Sequence, residues 1–188
     1  MTNDSLKQID VAEAPRIYVA SLADYNAGRL HGRWIDANQP ADCIREEISV
    51  MLAESVEPIA EDYAIHDYEY FGDLELSEHE GVDQVAEAAY QLAEHGPVFG
   101  ALLSYVGGTT CINEAMRYME QGYCGEFDSL TDYAQQFIDD CYADALRELP
   151  EFIRWHIDYE GIAREMQLAG DVFTLECDGK VHVFHANI

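Results

Sequence analysis

The chain has 188 residues, with 37 Asp and Glu against 10 Lys and Arg, a formal net charge of -27 and a pI near 4.2. So acidic a surface is repelled by nucleic acid and by anionic membrane, and the lack of any run of about eighteen apolar residues argues against a membrane-spanning helix. Global disorder is opposed by 48% hydrophobic and 11% aromatic residues, enough for a core.

The opening MTNDSLKQIDVAEAP is polar and lacks the apolar centre of a signal peptide, so a cytoplasmic location is expected, with residues 1–14 a flexible tail. Two alternating runs, Arg16–Leu22 and Arg29–Ile35, flank the turn-forming Asp24, Asn26 and Gly28 and predict a β-hairpin. Helical spacing of Ile44, Ile48, Met51 and Leu52 predicts a helix over Pro40–Glu54, and alternation returns around Ala64–Tyr68. These elements make a first α+β unit, residues 15–72.

From Ser77 the period is helical: Val82, Val85, Ala86, Ala89 and Leu92 share one face, while Asp83, Glu87 and Glu94 fall on the other. Gly96–Pro97 ends that helix, and Phe99, Leu102, Leu103 and Val106 suggest a second, closed by Gly107–Gly108. With a third over Thr110–Glu120, residues 73–121 form an all-helical unit. The last unit, 122–188, is expected to be α+β. Ser129 and Asp132 form a capping signature ahead of a core face of Leu130, Ala134, Phe137, Ile138, Cys141 and Ala145. Pro150 opens a helical region running through Ile153, Ile157 and Ile162 to Met166, and DVFTLECDGKVHVFHA is a hairpin about Asp178–Gly179. The fold class is therefore α+β, in three small units.

The five cysteines, Cys43, Cys111, Cys124, Cys141 and Cys177, contain no CxxC pair and are expected to be free, mostly buried thiols. Neither a metal nor a cofactor is expected: no EF-hand pattern, HExxH, GxSxG or phosphate-binding loop occurs. Three close acid–histidine constellations exist, His66–Asp67, His79–Glu80 and His156 with Asp158. Adjacent strand residues such as His66 and Asp67 face opposite ways, and His156 precedes apolar helix positions, so a structural role is favoured over catalysis. Cys124 in GYCGEF is a poor nucleophile if its anionic surroundings raise its pKa.

The distribution of charge is the most informative feature. EDYAIHDYEYFGDLELSEHEG holds Glu61, Asp62, Asp67, Glu69, Asp73, Glu75, Glu78 and Glu80, and there is no lysine or arginine from Arg45 to Arg117 or from Arg117 to Arg147. Ordinary surfaces mix signs. Adaptation to high salt would scatter acids diffusely; imitation of a polyanion would array them. Duplex DNA carries about one charge per 1.7 Å of axis, so -27 matches roughly 46 Å of duplex. A compact globule of this length has a radius of gyration of about 16 Å, so an elongated shape suits such imitation better.

RIYVASLADYNAGRLHGRWIDA (Arg16–Ala37), DYAIHDYE (Asp62–Glu69), FGALLSYVGG (Phe99–Gly108) with the helix bearing Glu114 and Glu120, EFDSLTDYAQQF (Glu126–Phe137) and LAGDVFTLECDGKVHVFHA (Leu168–Ala186) together resemble the ArdA family of antirestriction proteins, carried mainly by conjugative and other mobile elements. The resemblance implies an elongated three-part homodimer that imitates bent B-form DNA. It would occupy the DNA-binding groove of type I restriction–modification enzymes, on the core of specificity and modification subunits, without catalysis. FGALLSYVGG and the following helix correspond to the family's antirestriction motif, whose apolar content suits packing or an interface. The role carried over by the resemblance is phosphate imitation by Asp62, Asp67, Glu69, Glu114, Glu120, Glu126, Asp128 and Asp132. Asp73, Glu75, Glu78, Glu80, Asp83, Glu87, Asp139, Asp140 and Asp144 are further candidates from the charge pattern. The alternative function is an acidic module that sequesters another basic or DNA-binding protein; a salt-adapted enzyme is a third.

Overall fold

The computed structural model describes residues 14–188; the expected N-terminal tail lies almost wholly outside them. The architecture is α+β, with two three-stranded antiparallel sheets and helices packed beside them. The chain divides into two compact units, one ending at Ile112 and the other running Asn113–Ile188. The helices expected to form a middle unit lie mainly in the first of these.

In the first unit, β1 (Arg16–Ser21) is the central strand between β2 (Gly32–Asp36) and β3 (Tyr63–Glu69). Alternation buries Ile17, Val19 and Ile35 on one face. Arg16, Asp36 and Glu69 are cross-strand neighbours on the other, as are Tyr18, Trp34 and Asp67. The strands β1 and β2 pair as predicted, but not through a tight turn: Leu22–Asn26 forms a short helix, α1, capped by the Ser21 hydroxyl, which accepts from the Asp24 N–H at 3.3 Å. α2 (Ala41–Ala53) buries Ile44, Ile48 and Met51.

α3 (Val82–His95) starts later than Ser77, because Ser77–Glu80 closes a separate turn with the Glu80 N–H donating to the Ser77 carbonyl at 3.1 Å. Its predicted apolar face, Val82, Val85, Ala86, Ala89 and Leu92, is buried throughout. α4 (Pro97–Val106) begins on Pro97 and ends on Gly107, left-handed at φ 115°; the N–H groups of Gly107 and Gly108 both return to the Leu103 carbonyl. Val98–Leu103 is buried without interruption, so the FGALLSYVGG segment is a packing element. Its closest approach is at Gly100: a Cβ there would lie 2.5 Å from the Phe71 carbonyl oxygen, so α4 rests directly on that backbone.

A 3-10 turn, Thr109–Cys111, leads into α5 (Ile112–Arg117) and a π-turn, Tyr118–Gly122. In the second unit, β4 (Tyr123–Phe127), β6 (Lys180–His185) and β5 (Val172–Cys177) lie side by side in that order. The hairpin is as predicted: Cys177 pairs with Lys180, and Asp178 and Gly179 both take positive φ, 52° and 74°. α6 (Leu130–Cys141) is capped by Ser129 but stops at Tyr142, so Cys141 and Ala145, expected on its core face, are exposed. The rest of that face holds: Ala134 is buried, and Leu130 and Phe137 pack with Met166 against a core of Tyr133, Val172 and Val183, with Phe184 also buried. α7 (Ala143–Glu148) and α8 (Glu151–Arg154) are short and exposed; α9 (Tyr159–Leu168) packs on α6. The helical run expected from Pro150 to Met166 is thus two helices. All five cysteines are free, but Cys43 and Cys141 are exposed and the others half-buried, which corrects the expectation of mostly buried thiols.

Candidate functional site

The carboxylates fall into three groups by what they touch. The first is bound to bases. Glu69 accepts from the Arg16 Nε at 2.6 Å, across β1 and β3, while the Arg16 guanidinium also lies 4.8 Å over the Trp34 ring. Asp83, on α3, pairs with Arg45 of α2, and this partner holds the arginine above its ordinary pKa. Asp128 accepts from Lys180 at 2.6 Å, which lowers the aspartate's pKa and raises the lysine's. Asp144 accepts from Arg147 at 2.8 Å, within one helical turn.

The second group shapes backbone. Glu80 is half-buried: it accepts the Ser77 N–H at 3.1 Å through one carboxylate oxygen and the Thr109 hydroxyl through the other. It thereby ties the linker before α3 to the 3-10 turn. Asp132 accepts from the Ser129 hydroxyl at 2.6 Å while its own N–H donates to that oxygen, the Ser129 cap predicted from the spacing.

The third group has neither a cation nor a structural duty among the described residues. Asp62 is exposed just before β3, and Asp73, Glu75 and Glu78 are exposed in the linker that follows it, with Asp67 on the strand itself, which accepts only the N–H of Tyr68. Leu74 is buried between Asp73 and Glu75, so an apolar anchor holds this acidic linker in place. Glu87, bonded to Gln91 at 2.8 Å, follows Asp83 by one turn of α3, about 6 Å along the axis. In the second unit Glu114, Glu120, Glu126, Asp139 and Asp140 are exposed on α5, the π-turn, β4 and α6.

The placement of the bases explains why so much charge is left uncompensated. All four arginines of the described part of the first unit are engaged at its N-terminal half: Arg16 with Glu69, Arg29 with Asp24 and Glu57, Arg33 with Glu54, Arg45 with Asp42 and Asp83. None reaches the linker acids. A groove of about 470 Å³ runs between Asn38–Ala41 and Asp83, Glu87 and Tyr90, so amides, two carboxylates and an exposed aromatic ring line one depression.

Sequence reasoning read Asp24 as a turn residue, whereas its side chain is buried and accepts from Ser55 Oγ at 2.5 Å and Arg29 Nε at 3.4 Å. The Ser55 hydroxyl is the main cause of its lowered pKa. The Ser21–Asp24 spacing, that of a helix cap, was the available signal.

The acid–histidine constellations form no bonded pairs among the described residues. His66 packs edge-on against Tyr25 at 4.9 Å, and His156 Nδ1 donates to the Phe152 carbonyl at 2.8 Å. The Cys124 thiol is pushed up chiefly by burial, rather than by the surrounding acids, and donates to the Gly122 carbonyl at 3.3 Å. Among the described residues no group of three His, Cys, Asp or Glu is placed to hold a metal ion, and no helix is long and apolar enough to cross a membrane.

No curated protein matches the chain. Residues 17–179, most of the chain, match the family described as antirestriction protein (ArdA), and the chain belongs to that family.

Proposed function

We propose that this antirestriction protein is a non-enzymatic inhibitor of type I DNA restriction–modification enzymes, presenting carboxylates in place of the phosphates of bent B-form DNA to their basic DNA-binding groove. The partner is the core of specificity and modification subunits, the inhibitor acts as a homodimer, and the setting is cytoplasmic. The observation that carries the reading is the run Asp62, Asp67, Asp73, Glu75 and Glu78: exposed, anchored by Leu74, and beyond the reach of the unit's arginines. Acids kept only for solubility would gain by mixing with bases; here the bases are held elsewhere. The third carboxylate group, with Glu87 on α3 and Glu114, Glu120, Glu126, Asp139 and Asp140 in the second unit, is the proposed phosphate-imitating set. Glu69, Asp83, Asp128 and Asp144 are partly neutralised by their bases, and Glu80 and Asp132 serve the fold.

Competition tests the reading. Added in stoichiometric amounts, the protein should displace specific duplex from a type I methyltransferase core, and the inhibitory complex should loosen steeply as salt is raised. Undisturbed duplex binding, together with equal affinity for unrelated basic proteins, would instead support a general acidic sequestering module.

A further inference from the structure

The groove between Asn38–Ala41 and α3 is assembled from fixed parts. Asp83, Ala86, Glu87 and Tyr90 recur at three- and four-residue spacing, so a single stripe of α3 forms one wall; Pro40 and Ala41, where α2 begins, belong to the other. Ala86, between the two acids, is buried. The loop is held too: the Asn38 N–H donates to Asp36 Oδ1 at 2.9 Å, and the Gln39 amide donates to the Asp36 carbonyl at 2.8 Å and to Glu47 at 2.7 Å. Glu87 is oriented from within its own helix, since its Oε1 accepts at 2.8 Å from Gln91, a buried residue. The Tyr90 ring lines the same depression and is nonetheless 52% exposed.

The chemistry that suits the groove is already present at one end of it. At Asp83, the first acid of the stripe, the guanidinium of Arg45 is bonded, with Asp42 as its second acceptor at 2.8 Å. One turn on, about 6 Å along the axis, Glu87 presents a carboxylate with no cation among the described residues. The unit has no described arginine left for it, because Arg16, Arg29, Arg33 and Arg45 are all engaged with other acids.

We propose that this groove receives an arginine side chain of the protein partner, its guanidinium on Oε2 of Glu87, its plane against the Tyr90 ring and its aliphatic stem along Pro40 and Ala86. The proposal rests on the reading that the chain engages a basic DNA-binding groove, and adds a discrete pocket to a surface otherwise defined by charge alone. Glu87 and Tyr90 are three residues apart on one helix face, so a cation bonded to the first lies within the roughly 6 Å at which an aromatic face attracts it. Arginine suits the site better than lysine: its planar fork meets a carboxylate while its face stacks, whereas the lysine ammonium is a compact, strongly hydrated charge. A metal ion is disfavoured, because Asp83 and Glu87 have no third His, Cys, Asp or Glu placed with them among the described residues. Phosphate imitation spread along a surface is indifferent to the loss of one neutral ring; a pocket is not.

The groove is tested first without any enzyme, by NMR titration of the full chain at low salt. The probes are N-acetyl-arginine amide, whose only charge is the guanidinium, and N-acetyl-citrulline amide, its neutral isostere. The arginine amide should shift the Ala41 and Ala86 amides and the Tyr90 ring, saturating at roughly millimolar concentration; the citrulline amide should not. Tyr90→Ala and Glu87→Gln should each raise the dissociation constant at least about threefold with circular dichroism unchanged, while Tyr90→Phe, which keeps the ring, should bind as wild type. D139N/D140N, in the other unit, should have no effect. Shifts spread evenly over the acids, an equal response to citrulline, or Tyr90→Ala binding as wild type would each overturn the proposal. In competition against duplex on a type I methyltransferase core, Tyr90→Ala should lose about tenfold in affinity although its net charge is unchanged. Undiminished potency of that variant would also overturn the proposal. A wild type that binds the arginine amide as expected yet never displaces duplex would leave the preference of the groove for a guanidinium standing and remove the reading of the partner instead.

Discussion

Glu80 and Glu78 are two residues apart and indistinguishable by charge, but the structure gives them opposite duties. Glu78 is exposed with no side-chain partner among the described residues, whereas both carboxylate oxygens of Glu80 are engaged, one by the Ser77 N–H and one by the Thr109 hydroxyl. In Glu80→Gln the amide keeps both partners only by turning its oxygen to the Ser77 N–H and its NH₂ to the Thr109 hydroxyl, which then accepts instead of donating. Two hydrogen bonds to a charged group become neutral ones, a destabilisation of about 2 kcal/mol. For a unit of about a hundred residues that lowers the melting temperature by roughly 8–16 °C. Glu78→Gln removes the same charge from the same linker and should leave stability within about 0.5 kcal/mol of wild type, on the favourable side as repulsion falls. Thermal melts of the two variants, followed by circular dichroism in one buffer, decide the point. Equal melting temperatures would refute the assignment of Glu80 to the scaffold and return it to the binding surface.

Inhibition should respond to the unpaired acids collectively: Glu75→Gln alone should change affinity for a type I core little, and D73N/E75Q/E78Q together by roughly tenfold, read as competition against duplex at fixed low salt. Asp24→Asn should lower the melting temperature although it removes an acid from an over-acidic chain, because Ser55, Ser21 and Arg29 converge on that residue; a raised melting temperature would contradict its structural role. His182 is buried against Tyr123, whose hydroxyl lies 2.8 Å from Nδ1, and burial lowers its pKa, so between the folded and unfolded values the unfolded chain binds more protons. Its contribution is therefore complete above about pH 6.5 and declines as pH falls below that value. Urea midpoints at pH 7.5 and 5.5 should consequently differ less in His182→Gln than in wild type.

Much of the fold was legible where local chemistry decides it. Asp178–Gly179 supplies two positive-φ residues for a two-residue hairpin, and the apolar stripe of α3 matches its burial position by position. The strand β4 escaped notice because YCGEF is interrupted by Gly125, at φ 120°, where the register with β6 shifts. The predicted core face through Cys141 and Ala145 failed because periodicity does not reveal that the backbone leaves the helix at Tyr142. The acids were readable as a quantity, but their partners were not. Glu69, Asp83 and Asp128 meet bases 53, 38 and 52 residues away, and no local pattern encodes such encounters.

Gly100 places the sensitivity of this molecule to mutation far from its charges. A charge shared among many carboxylates is redundant, so losing any one by random substitution should pass unnoticed in a bacterial cell. At Gly100 every other residue must put a Cβ into the Phe71 carbonyl, displacing α4 and, with it, the start of the acidic linker. A genetic screen for lost antirestriction should consequently return Gly100 and its buried neighbours Phe99, Leu102 and Leu103 far more often than any single acid. Invariance of that apolar stretch among relatives would then record the tolerance of the scaffold, while the surface that meets the enzyme is free to drift in sequence as long as its charge survives.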